Sequence, residues 1–141
     1  WRGRDLDALV KACKETKVEI TQFTAWGFVP GMNDPKNHDA VVKEIEASCE
    51  TAKRIGAPMM TVVAGNDIPG MSQAQMHAHV IEALKRCAPI AEKAGVTLIL
   101  EPMNIRVDHK GHCLYGSPAA IAAHEVVMRV LAARTPSRSG T

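Results

Sequence analysis

Ionisable side chains follow the third apolar run of the chain. Residues 96–112 read VTLILEPMNIRVDHKGH, so the run ends on Glu101 and a loop containing His109 and His112 comes next. Carboxylate and imidazole groups bind divalent cations and transfer protons. Glu101 is therefore a candidate metal ligand and a candidate catalytic proton-transfer group. The two histidines are candidates to orient a substrate hydroxyl or carboxylate.

A purely structural role is open for each of these residues. Glu101 would then accept from a loop amide or pair with Arg106. His109 and His112 would be solvent-exposed loop histidines. The residue types alone do not separate these roles, so the elements that position them have to be considered.

Three β-like runs alternate with four helical patterns. The runs are residues 18–26, 59–65 and 96–102. Apolar residues recur at helical spacing from Leu6, Val42 and Met76, and Ser117–Pro118 predicts the start of a fourth helix. Pro89 removes one backbone donor from the third helix and predicts a kink or break near residues 85–88. This order predicts right-handed βαβ units around a parallel sheet, which is an α/β fold.

The connections of this α/β pattern are unequal in length. Each helix-to-strand connection is short, whereas the strand-to-helix connections are long and polar. Ligand sites of α/β folds lie at the carboxyl ends of the strands. A functional site is therefore expected at the end of the sheet that carries Glu101. Trp26, with Phe23 and Phe28, ends the first run there, and either lines a pocket or belongs to ordinary core packing.

Composition restricts the possible partners. The 141 residues include 17 Lys and Arg and 15 Asp and Glu, and the two signs are interspersed. This pattern argues against a nucleic-acid partner, which would need a concentrated basic face. No apolar run approaches the ~18 residues of a membrane span. Four cysteines without a CxxC pair indicate buried thiols in a reducing, cytoplasmic setting.

Two of the strand ends resemble a known family. TVVAGN and LILEPMN followed by RVDHKGHCL resemble the hydroxypyruvate isomerase group of the xylose-isomerase-like sugar isomerases and epimerases. The resemblance runs from Trp1 to about Ala123. It implies that the chain forms part of a TIM (β/α)8 barrel, with about three strands and four helices. Residues 1–131 are accordingly expected to be an incomplete barrel domain, and residues 132–141 an unstructured tail.

The resemblance also implies an activity and a set of site residues. Hydroxypyruvate isomerases interconvert hydroxypyruvate and tartronate semialdehyde through an enediolate, with a divalent metal such as Mg²⁺ or Mn²⁺. Glu101 matches the first of two family glutamates that ligate the metal and move the proton. His112 matches a substrate-loop histidine, with His109 beside it. Asn66 and Trp26 correspond to pocket-lining positions. The substrate would be a small carbohydrate or a hydroxy-keto acid.

Several family positions have no match in this sequence. The family's Asp-x-x-His segment and its second glutamate do not occur, so the metal is not expected to be held by this chain alone. Three strands leave two parallel edges open, which favours self-association. Two alternatives follow. One is a ketose 3-epimerase of the same superfamily, and the other is a truncated, inactive chain with a non-enzymatic binding role.

Overall fold

The computed structural model describes residues 1–116, 118, 119, 121–123 and 125. Helices and strands alternate along this range, and a 3-10 turn lies at Pro35–Asn37. The elements are α1 Leu6–Thr16, β1 Gln22–Trp26, α2 His38–Ile55, β2 Met59–Val63, α3 Gln73–Ala94 and β3 Thr97–Glu101. Residues 118, 119, 121–123 and 125 are helical, as expected for the fourth helix. The expected tail at residues 132–141 lies outside the described residues.

The three strands form one parallel sheet in the order β1-β2-β3. This confirms the predicted βαβ units. β1 is shorter than the predicted run of residues 18–26, because its neighbour β2 begins at Met59, opposite Gln22. Residues 18–21 therefore have no strand to pair with. The register of β1 on β2 shifts between Thr24 and Trp26.

Local sequence signals set the helix ends. The side chain of Asp5 accepts from the backbone of Asp7 and Ala8 at the start of α1. At the start of α3, Ser72 and Gln75 form a reciprocal capping box. Each of these caps satisfies backbone N–H groups that have no partner inside the helix.

Pro89 does not break α3, contrary to one of the two outcomes predicted for it. The helix runs without interruption from Gln73 to Ala94. Leu84, Cys87 and Ala91 are buried on both sides of the proline. Burial of this continuous apolar face offsets the loss of a single backbone hydrogen bond.

One face of the sheet packs against α2 and α3. Met60 and Val62 of β2 are fully buried there, and Leu98 and Leu100 of β3 pack against the same core. Side chains alternate along a strand, so Glu101 belongs to the opposite face. All four cysteines are free thiols. Among the helices that the structure describes, none combines the length and the apolar character needed to cross a bilayer.

Candidate functional site

Three loops meet at the carboxyl end of the sheet. Loop 1 is residues 27–37, loop 2 is residues 64–72 and loop 3 is residues 102–116. Gly65 of loop 2 is their common contact. Its N–H donates to His112 of loop 3, and its carbonyl accepts from the backbone N–H of Cys113 at 3.0 Å. The long loops that the sequence placed at this end therefore form one connected unit.

Loop 1 crosses loop 2 with backbone against backbone. A Cβ atom on Gly65 would lie 2.7 Å from the Cα of Gly31, and Gly65 has a φ of +125°. Only glycine fits both the conformation and the space. The side chain of Asn33 closes this crossing, because its Oδ1 lies against both glycines. Its Nδ2 donates to the carbonyl of Asn66 at 2.7 Å.

His112 is buried, with 1% of its surface exposed. Its Nε2 accepts from the N–H of Gly65 at 3.3 Å, and its Nδ1 lies 2.8 Å from the carbonyl oxygen of Leu114. Burial lowers the pKa of His112 and outweighs the opposing influence of Asp67 and Glu101. Burial therefore favours the neutral ring, and both of its nitrogens bind backbone groups. The predicted contact between His112 and substrate stays a prediction.

His109 lies on the exposed side of the same loop. Its ring stacks on Phe28 of loop 1 with centroids 5.1 Å apart, and the ring of His112 meets the same phenyl ring edge-on at 5.5 Å. Phe28 thus joins the two histidines that the sequence singled out. Because His109 is exposed, its imidazole is accessible to a ligand from solvent.

Glu101 is the last residue of β3 and lies opposite Val63 of β2. Its side chain is exposed. The alternative ion pair with Arg106 is not formed, since within the described ranges no cation lies within ion-pair distance of Glu101. The carboxylate is therefore free to accept a proton or to bind a ligand.

Asn66 and Trp26 occupy different surroundings. Asn66 directly follows Gly65 and forms an isolated backbone bridge with His112, so it lies beside His112. Trp26 packs against the core and lines a small cavity of about 260 Å³ with Arg2 and Glu44. Its indole Nε1 is buried and has no hydrogen-bond partner among the described residues. The structure brings Asn66 to His112 but leaves Trp26 in a separate cavity.

The described residues do not fit a complete metal site. Over the ranges given above, no group of three His, Cys, Asp or Glu side chains is close enough to hold an ion. Glu101 would be a single carboxylate ligand. Cys113 adds no thiolate, because burial raises the pKa of its thiol to about 11. A metal of the kind the resemblance implies therefore needs ligands from outside the described residues.

Sequence reasoning did not assign Asn33 or Gly65 a role in joining the loops, and neither belongs to a catalytic motif. Phe28 was expected to line a pocket or to belong to core packing, and its ring contacts both loop 3 histidines. Gly65 directly follows the apolar run of β2, and a glycine there is consistent with a close backbone approach. Asn33 gives no such signal, since its burial depends on contacts with residues 31 and 66 that only the folded chain brings near.

Comparison with known proteins agrees with this fold. A family model described as "Xylose isomerase-like TIM barrel" matches residues 1–126. A crystal structure of an AP endonuclease of family 2 from Brucella melitensis superposes with a TM-score of 0.76 at 16% identity, covering 88% of this chain and 50% of that one. The IOLI protein with a bound zinc atom gives 0.73 at 20% identity, with 91% and 44% coverage.

A third solved structure has a similar fold. A D-tagatose 3-epimerase-like protein superposes with a TM-score of 0.67 at 18% identity, covering 84% of this chain and 44% of that one. At these identities the likeness shows the fold alone. The chain spans half or less of the length of these structures. No match to the chain is found among curated proteins. The parallel βα units and the family match together show that the chain belongs to the xylose isomerase-like TIM barrel family and forms part of such a barrel.

Proposed function

We propose that this chain contributes one wall of the active site of a sugar isomerase or epimerase. The reaction removes a proton from the carbon next to a carbonyl group, which gives an enediolate. The proton then returns to the former carbonyl carbon in an isomerisation, or to the opposite face of the same carbon in an epimerisation. In the form closest to the sequence resemblance, hydroxypyruvate is converted to tartronate semialdehyde. The proposal rests on the family match over residues 1–126, and above all on the exposed carboxylate of Glu101 at the carboxyl end of a barrel strand.

Glu101 supplies the chemistry in this proposal. Its carboxylate takes a proton from the carbon next to the substrate carbonyl, which leaves an enediolate. The proton then returns to the former carbonyl carbon, while the proton of the substrate hydroxyl passes to the former carbonyl oxygen, so atoms and charge balance over the whole reaction. A carboxylate is a suitable general base for this transfer.

A divalent metal is part of the proposal only for a larger site. The IOLI protein carries zinc, and the resemblance implies a metal. Among the described residues, Glu101 does not belong to a group of three or more His, Cys, Asp or Glu side chains that could hold an ion. We therefore assign Glu101 as one metal-ligand carboxylate and attribute the remaining ligands to residues outside the described ranges.

Exposed polar side chains support a small polar substrate. Asn66 and His109 are both exposed at this end of the sheet, where an amide and an imidazole can bind hydroxyl or carboxylate groups. The buried His112 is joined to Asn66 by an isolated backbone bridge. We propose Trp26 as a pocket-lining residue from the sequence resemblance alone. In the structure it lines a different cavity, with Arg2 and Glu44.

A small molecule is favoured over nucleic acid by the charges. Among the described residues, six basic side chains lie within ion-pair distance of carboxylates; they are Arg2, Lys11, Lys53, Arg54, Lys85 and Arg86. Each is thereby partly neutralised, and the formal net charge of the chain is only +2. A phosphate backbone requires a concentrated basic face. The free state of all four thiols supports a reducing, cytoplasmic setting.

A second copy of the chain is the proposed protein partner. β1 and β3 form the two edges of the sheet. Their outer backbone groups have no strand partner within the described residues, and unpaired edges favour strand addition. Sedimentation would test this proposal, and a stable monomer that melts cooperatively would contradict it.

A substrate panel distinguishes the two candidate activities. A ketose 3-epimerase is the second candidate, because a D-tagatose 3-epimerase-like protein has the same fold. The polypeptide encoded by the complete reading frame around this chain would be incubated with hydroxypyruvate and with free ketoses, with and without Mn²⁺. Conversion of hydroxypyruvate supports the first activity, and epimerisation of a ketose supports the second. Turnover of neither would contradict the proposed function.

A further inference from the structure

The imidazole of His112 connects the backbones of two loops. Its Nε2 lies 3.3 Å from the backbone nitrogen of Gly65 in loop 2, and its Nδ1 lies 2.8 Å from the carbonyl oxygen of Leu114 in loop 3. A backbone N–H only donates, so Nε2 must be the unprotonated nitrogen. The proton then lies on Nδ1, which donates to Leu114. This arrangement uses one defined neutral tautomer.

The opposite tautomer has a cost at Gly65. The N–H of Leu114 also lies 3.2 Å from Nδ1, so an unprotonated Nδ1 would have a donor. However, the proton would then be on Nε2 and point at the N–H of Gly65. Two donors facing each other in a buried space lose a hydrogen bond and are not solvated. In the Nδ1–H form the N–H of Leu114 faces a protonated nitrogen in turn, so each tautomer leaves one backbone N–H without an acceptor. Only the Nδ1–H form also donates to the carbonyl of Leu114, at 2.8 Å, and this additional hydrogen bond selects it.

Other contacts hold loop 2 and loop 3 to each other or to neighbouring elements. The N–H of Asp67 donates to the carbonyl of Gly111 at 2.7 Å. The ring of His77 on α3 lies 2.8 Å from the carbonyl of Cys113. On the far side of the crossing, Asn33 fixes loop 2 by donating to Asn66. His112 is the buried side chain that lies between the two loops themselves.

The two exposed polar residues of the site flank this imidazole. Asn66 directly follows Gly65, and the carbonyl of His109 accepts from the backbone N–H of His112 at 3.1 Å. A displacement of His112 would therefore alter the spacing between the Asn66 and His109 side chains. The phenyl ring of Phe28 contacts both histidine rings and transmits the same displacement to loop 1.

We propose that His112 is a positioning residue, a neutral Nδ1–H imidazole that clamps loop 3 to loop 2 and so sets the spacing of Asn66 and His109. That this spacing serves contact of Asn66 and His109 with a substrate rests on the proposed function. The clamp itself does not, and the test below requires no turnover. Failure of the clamp and failure of the proposed activity are therefore distinguishable.

The first test is the tautomer of His112 in the unmodified chain, read from ¹⁵N chemical shifts of the ring at neutral pH. The proposal predicts a protonated Nδ1 and an unprotonated Nε2. A ring with its proton on Nε2, or a charged ring, would overturn it. This measurement needs no variant, so it remains decisive even if every substitution at this position unfolds the chain.

The second test separates the two ends of the imidazole. In His112→Gln the amide oxygen reaches the place of Nε2 and accepts from Gly65. In His112→Asn the shorter amide reaches only the place of Nδ1. Hydrogen exchange of the Gly65 amide is expected to stay slow in His112→Gln. It is expected to accelerate by about tenfold or more in His112→Asn, the size of effect that loss of about one hydrogen bond produces.

A core amide supplies the control for these variants. Exchange at Val62, in the middle of β2, reports global stability and is expected to change equally in both. The clamp is supported if exchange of the Gly65 amide, after correction for the change at Val62, accelerates in His112→Asn and not in His112→Gln. Equal exchange of Gly65 in the two corrected variants would overturn it.

Discussion

Gly31 and Gly65 pack backbone to backbone, and this contact joins loop 1 to loop 2. A Cβ atom on Gly65 would lie 2.7 Å from the Cα of Gly31 and would also meet the Oδ1 of Asn33. The three loops at the carboxyl end of the sheet therefore have little freedom to move apart. Loops tied in this way hold the exposed groups of a site at fixed spacing.

The Gly65 contact predicts a large effect for the smallest possible substitution. Gly65→Ala is expected to lower the free energy of unfolding by about 3 kcal/mol, since backbone strain at a φ of +125° adds to overpacking. Gly56→Ala is the matched control, because Gly56 has a φ of +74° and open space around it. It is expected to cost about 1 kcal/mol. Urea unfolding of both variants measures the difference, and equal losses would contradict the close contact.

Asn33 predicts a second stability effect. Asn33→Asp removes the donor to the carbonyl of Asn66 and buries a carboxylate against that oxygen, so a loss of about 3 kcal/mol is expected. Asn37→Asp is a matched substitution in the same loop. The Nδ2 of Asn37 donates to the carbonyl of Gly31 at 2.8 Å. However, the Asn37 side chain is only half-buried and stands at the start of α2, where a negative charge is favourable. Thermal melting should show the smaller loss for Asn37→Asp, and the reverse order would contradict the burial of Asn33.

The buried histidines predict a loss of stability in mild acid. Burial lowers the pKa of His112 and of His38 below the ordinary value of 6.5. The unfolded chain then binds more protons than the folded chain as pH falls below 6.5, so the free energy of unfolding falls between that pH and the folded-state pKa values. Above pH 6.5 these two groups contribute no such dependence.

Urea titrations at about pH 7.5 and about pH 5.5 test this dependence. His112→Gln is expected to reduce the pH-dependent loss, and addition of His38→Gln is expected to reduce it further. His77→Gln serves as a control at a half-buried histidine on α3, because neither of these two pKa shifts depends on His77. An unchanged pH dependence in the double variant would show that the two buried histidines are not its source.

The ligand count predicts weak metal binding by the chain as it stands. Because Glu101 belongs to no group of three or more His, Cys, Asp or Glu side chains among the described residues, calorimetric titration with Mn²⁺ is expected to show no saturable binding in the low micromolar range. Glu101→Gln is expected to give the same trace. Stoichiometric binding that disappears in Glu101→Gln would contradict the ligand count.

Much of the fold was predictable because its signals are local. Apolar spacing, the Ser72–Gln75 capping box and the loop lengths depend on residues close together in the chain, and these predicted the parallel βα units correctly. The start of β1 was not predictable, since it depends on where its partner β2 begins. Continuity of α3 through Pro89 depends likewise on tertiary burial.

The site divides in the same way. The position of Glu101 at a strand end was readable from the sequence, because an apolar run stops there. The burial of His112 was not, since it requires Gly65 and Leu114 to surround the ring. Asn33 acts through partners distant in sequence, so no local pattern identifies it. Phe28 stood out as an aromatic residue beside a strand end, but its contact with His109 and His112 was not readable.

Proton exchange at Glu101 tests the central claim most directly. The polypeptide from the complete reading frame would be incubated with hydroxypyruvate in D₂O, and deuterium uptake at the carbon next to the carbonyl would be followed by mass spectrometry. Glu101→Gln is compared with Glu92→Gln, an exposed carboxylate on α3. The account predicts that uptake falls by about 10³-fold in Glu101→Gln alone. Uptake at the unmodified rate in Glu101→Gln would contradict it.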